Sequence, residues 1–204
     1  AFYFFRKKEE TMIISFKAFR PDLTCTSGGN TFQYQLGKWN EETQANCVRN
    51  GFHSAGNPLD CMSYYPVWEE AVYYAVLCDG DIDEDGCDSK ISCTKLKLLR
   101  KLDLREFLEC SILYMVDYPY MKLNHKVRME RASQEDINGF VIVRGKEPSA
   151  SVKKEGSFIC LVKEKMESKA IEAYAILQVD GQQYHTDTWY GFRNIPAKII
   201  QKIN

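Results

Sequence analysis

The sequence holds no apolar run near the ~20 residues that a membrane-spanning helix needs. It has no excess of charge either: 27 basic and 28 acidic residues leave a formal charge of −1. That balance removes any general attraction to nucleic acid or to anionic membranes. Histidine is scarce, at three residues. Eight cysteines stand at 25, 47, 61, 78, 87, 93, 110 and 160, and none forms a CxxC pair. Cys47, His53 and Cys61 match no zinc spacing, and no fourth ligand accompanies them. Cysteines scattered through apolar segments are the pattern of buried thiols in a reducing, cytoplasmic setting.

What is present is a core. Hydrophobic residues make up 45% of the 204 and aromatics 13%, too much for a disordered chain and enough for one large domain or two small ones. Residues 1–11 (AFYFFRKKEET) read as a leader or an extra strand, with Met12 a possible natural start. From there the chain reads as α+β, mainly antiparallel strands with two or three short helices, followed by a small β-rich carboxy-terminal part. The expected division is 12–118, a connector at 119–138, and 139–204.

In order, MIISFKAF (12–19) is a strand by propensity. TFQYQLGKW alternates, putting Phe32, Tyr34 and Leu36 on one face. GFHSAGNPLDCMSYYP (51–66) concentrates the unusual residues. Gly51 supplies a turn; Asn57 caps a helix that Pro58 starts and Asp60 supports; Pro66 keeps it to two turns. EAVYYAVLC from Glu70 is apolar on both faces, as in a central strand. DGDIDEDGCDSK then reads as an acidic loop before ISCTKLKLL, with Thr94, Leu96 and Leu98 inward and Lys95 and Lys97 outward. Asp103 and Glu106 make a capping box for a helix striped by Leu104, Phe107, Leu108, Ser111, Ile112 and Met115.

Residues 120–138 suit either a second helix or an exposed strand, with Lys122, Lys126, Arg128 and Arg131 on a solvated face. Short β segments follow at 140, 149, 158, 170 and 184. Gly139, Gly145, Gly156 and Gly181 punctuate them at roughly regular intervals, as in small stacked β units. His185, Asp187 and Trp189 alternate on one face of the last segment.

FKAF, DLTC, FQYQLGK, NGFH…NPLD…YY, VYYAVLC and DSKISCTKLKL, taken in order over about residues 13–100, resemble an uncharacterised family of phages, prophages and gut bacteria. The resemblance implies two parts and a mobile-element setting, and no established activity. Relatives often carry cysteine where this chain has Ala55. Their Gly-Ala-Ser-rich middle is reduced here to GKEPSASVKKEGS.

Candidate binding residues are His53, Asn57 and Asp60 at the amino end of the short helix. The same stretch resembles the ADP-ribosyltransferase fold. That analogy implies Arg20 or His53 holding a ribose, Tyr64 or Tyr65 stacking on nicotinamide, and Glu69 or Glu70 as the acid. Asp81, Asp83 and Asp85 start a calcium-loop pattern, but position twelve is Ser92 instead of glutamate, so an acidic hairpin tip is the better reading. The leading expectation is a non-enzymatic binding or assembly module. It would have a protein partner, no cofactor, no membrane or nucleic-acid association, and a monomeric or weakly dimeric state. A nucleotide-binding or transferase domain centred on His53 is the alternative.

Overall fold

The computed structural model describes residues 12–27, 29–46, 49–84, 89–133 and 137–203. Among the described residues strands, mostly antiparallel, hold 48% and helices with 3-10 turns 13%, a β-rich α+β fold. The expected leader at 1–11 lies outside the described residues. The chain divides into two compact units, up to Phe107 and from Leu108.

The first unit contains β1 (Ile13–Phe19), β2 (Thr24–Ser27), β3 (Asn30–Gln33), β4 (Trp39–Glu41), β5 (Phe52–Ala55), α1 (Pro58–Cys61), β6 (Val72–Glu84) and β7 (Lys90–Lys101). The main sheet runs β4-β7-β5-β1-β6, and β6 also pairs with β7. That last pairing closes β7, β5, β1 and β6 into a ring. The two long hairpin strands make this possible. β7 carries β6 along one edge and both β4 and β5, end to end, along the other. Alternation then selects the ring's inner cluster: Phe19, Phe52, Val76, Cys78, Cys93, Leu96 and Leu98. The β2–β3 hairpin and Tyr34 add to it, Tyr34 edge-on to Phe19 with ring centres 4.9 Å apart. Outside the ring, Trp68 stacks on Tyr73 at 4.5 Å and Phe107 meets both edge-on.

Three expectations change here. The strand expected over 31–39 stops at Gln33, because the chain turns at Gly37 (φ +75°), and Leu36 is 60% exposed. The acidic segment is strand as far as Glu84: β6 continues opposite Cys93, Ser92 and Ile91 after a bulge. At that bulge Gly80 has φ +77° and the Asp81 amide donates to Thr94 Oγ1. Asp81 and Asp83 therefore sit on a paired strand, and Asp85 lies outside the described residues. The helix after Asn57 has one turn, not two.

Other expectations stand. Asn57 Oδ1 accepts from the Leu59 amide at 3.1 Å. Asp103 and Glu106 exchange side chain-to-backbone bonds at 2.8 and 3.0 Å and start α2 (Leu104–Asp117).

The second unit continues from α2 through β8 (Val127–Ser133), β9 (Phe140–Ser151), β10 (Phe158–Glu164), β11 (Ile171–Gln178), β12 (Tyr190–Gly191) and β13 (Gln201–Lys202). Within the ambiguous segment at 120–138, Val127–Ser133 form the strand β8, with Arg128 and Arg131 exposed, and no helix forms among its described residues. β8, β9 and β10 are mutually parallel, Val127 opposite Ile142 and Phe158 opposite Phe140. β11 then pairs antiparallel to β10. The segments expected separately at 140 and 149 are one bent strand. Residues 184–189 form no strand: the His185 amide donates to Tyr190 Oη, and Asp187 has φ +57°. Their apparent alternation belongs to an irregular loop.

Arg144, 1% exposed, is the polar centre of this unit. Its Nε donates to Glu164 Oε1 at 2.8 Å and its Nη2 to the carbonyls of Pro119 and Lys169. Removing Glu164 strands a buried cation. Glu164→Ala is therefore expected to cost ~3–5 kcal/mol in urea unfolding, whereas Glu147→Ala, which breaks the exposed pair with Arg193, costs under ~1 kcal/mol.

Candidate functional site

The ring closes weakly at one seam. β1 and β5 are in register at Phe16 and Ala55; beyond that pair, toward Phe19 and Phe52, the two strands part. Side chains take over from the ladder. Lys17 Nζ donates to the His53 carbonyl. The thiol of Cys25 donates to the Ala18 carbonyl and that of Cys61 to the Phe16 carbonyl, each at 3.4 Å. A strand pair that cannot zip leaves polar backbone needing partners, and these three residues supply them.

The parting opens a cavity of about 460 Å³. Its floor is the seam itself, from Lys17 and Ala18 across to Phe52, His53 and Ser54. The β2–β3 side adds Cys25, Thr26, Asn30 and Phe32, with Tyr34 beside them; the loop around α1 adds Asp60, Cys61, Tyr64 and Tyr65. Glu42, Arg49 and Lys90 also line it.

Of the residues expected to act together, His53, Asp60, Tyr64 and Tyr65 meet around this space. His53 is half-buried. Asp60 Oδ2 accepts from Ser89 Oγ at 2.6 Å and from its amide at 3.3 Å. Tyr65 Oη donates to Cys25 Sγ at 3.3 Å. Tyr64 is 59% exposed, with Lys90 Nζ 5.0 Å from its ring centre. Asn57 is occupied as the helix cap and is not on the lining. Arg20 bonds Thr26 Oγ1, Glu69 and Glu70 lie exposed in a single turn at Trp68–Glu70, and none of the three lines the cavity.

Sequence reasoning passed over Lys17, Cys25 and Ser54. One signal was available: Lys17 shares its strand face with Ser15 and Phe19, so a cation was due to point inward from an otherwise apolar run. Ser15 and Ser54 do face each other, 2.8 Å apart, and both touch Cys78 Sγ. A hydrogen bond from the Cys93 thiol, then the two serine hydroxyls and the Lys17 charge, hold the Cys78 thiol below its ordinary range against the effect of burial. Cys93, which keeps the shared proton, is pushed up. Cys25, Cys61, Cys78 and Cys93 carry free thiols. Among the described residues no cluster of histidine, cysteine and carboxylate could hold a metal, and no helix is long and apolar enough to cross a membrane.

Burial pushes the Cys61 thiol from 9.0 up to about 12, and burial also raises the phenols of Tyr34, Tyr65 and Tyr73. Between pH 9 and about 12 the folded chain keeps a Cys61 proton that the unfolded chain gives up. Its contribution to stability is whole below pH 9 and is lost as pH climbs through that window. Urea unfolding across the alkaline range should show the loss, shallower in Cys61→Ala by up to ~1.4 kcal/mol per pH unit.

No curated protein and no solved structure matches the chain. A family model does, that of a domain of unknown function, DUF7666, over residues 13–110. The described residues that line the cavity all fall within that stretch.

Proposed function

We propose that the unit up to Phe107 is a non-enzymatic binding module whose ligand is a small molecule held in the cavity at the β1–β5 seam. The cavity carries the reading. Its volume lies in the ~300–1,000 Å³ range of ligand pockets, and its lining joins apolar and aromatic surface to charged and polar side chains. The groups that chemistry would call on are at rest. The Cys61 thiol is kept protonated, the Tyr34 and Tyr65 phenols are harder to ionise than usual, and Asp60 is engaged by Ser89. Free thiols suit a reducing, cytoplasmic setting. A transferase reading has less behind it, since Arg20, Glu69 and Glu70 stand off the lining.

The test is ligand-observed NMR with a panel of polar metabolites, NAD among them, on the wild type and on Asn30→Trp, which narrows the cavity from an exposed lining position. Binders that weaken at least tenfold in Asn30→Trp and are recovered unchanged support the module. A panel without a binder, or binders indifferent to the tryptophan, would overturn it. Consumption of NAD would favour the transferase.

A further inference from the structure

Lys17 is an unusual tenant of a cavity wall. It is 8% exposed, and its partners among the described residues are one carbonyl, that of His53, and the faces of Phe19 and Tyr34 at 5.5 and 5.3 Å. None is an anion. An ammonium has three donors and no acceptor; one is used on the carbonyl. Burying a cation without a counter-charge is costly, and aromatic faces return only part of that cost. The two carboxylates on the same lining do not form an ion pair with it within 4 Å: Asp60 takes the Ser89 hydroxyl, and Glu42 is exposed. Among the described residues, then, no carboxylate pairs with this ammonium on the cavity lining, and the acidified Cys78 thiol is an anion-forming group that feels its charge.

The rest of the lining specifies what should arrive. Phe32, Phe52, Tyr64 and Tyr65 present aromatic surface, suited to a planar ring. Arg49 and Lys90 add positive charge to the lining, which raises the local concentration of anions before contact.

We propose that the ligand is a nucleoside phosphate, its phosphate received by Lys17 Nζ and its base lying against the aromatic wall. This rests on the reading of the cavity as a ligand site.

The test is calorimetry of the wild type, Lys17→Met and Lys17→Arg with AMP, GMP, CMP and UMP, with the matching nucleosides, and with inorganic phosphate. At least one nucleotide should bind ten times more tightly than its nucleoside. Lys17→Met should erase that margin while leaving nucleoside affinity within about twofold, and Lys17→Arg should keep most of it. Inorganic phosphate should compete with the nucleotide and not with the nucleoside, a measurement on the wild type that holds even if Lys17→Met fails to fold. Equal affinity for nucleotide and nucleoside, or a margin that survives in Lys17→Met, overturns the phosphate assignment and leaves the cavity reading standing. Neutral panel compounds binding where no nucleotide does has the same meaning. Silence from every compound overturns both.

Discussion

The pairing of Phe16 with Ala55 is the contact on which the amino-terminal unit turns. Two long strands in a hairpin, each with a further neighbour, come round to meet at that point. With the contact in place the inner cluster is enclosed; without it, Phe19 and Phe52 would face water from two separated strands. Because the register stops there, the same contact that closes the ring also creates the cavity. Closure and opening are the two ends of one seam.

The seam explains why polar side chains occur inside an otherwise apolar ring. Ser15, Lys17 and Ser54 are all buried, and an apolar residue at any of them would pack better by area alone. Lys17 and the thiols of Cys25 and Cys61 cap carbonyls that the diverging strands expose, while Ser15, Ser54 and Cys78 satisfy one another. A buried polar network is tolerable when its members are satisfied. In the carboxy-terminal unit a carboxylate and two carbonyls meet Arg144, although its buried Nη1 has no hydrogen-bond partner among the described residues.

Local chemistry was legible in the sequence. Asn57 followed by Pro58, and Asp103 three residues before Glu106, are caps whose partners lie within one turn, so the residues alone specify them. The alternation of Thr94, Leu96 and Leu98 with Lys95 and Lys97 was likewise readable, because a half-buried strand repeats every two residues. Leu36 misled because Gly37 turns the chain before the alternation can continue. Residues 184–189 misled because loop residues can alternate without being paired. His53, Asp60, Tyr64 and Tyr65 were near one another in sequence and could be grouped. The opposite wall, Lys17 and Cys25, is brought to them by the register between β1 and β5, and no short stretch of sequence carries that information. The parallel order of β8, β9 and β10 was hidden for the same reason.

A wall mended by side chains behaves differently from a wall of backbone ladder. Loosening the seam requires rotation about the χ angles of a lysine and two cysteines, and since Lys17 and Cys61 are buried these rotations are slower than the picosecond-to-nanosecond flips of exposed side chains. Peeling two zipped strands apart would instead be a local unfolding event, on the scale of microseconds to seconds. Loosening this seam therefore does not require melting the ring that surrounds it.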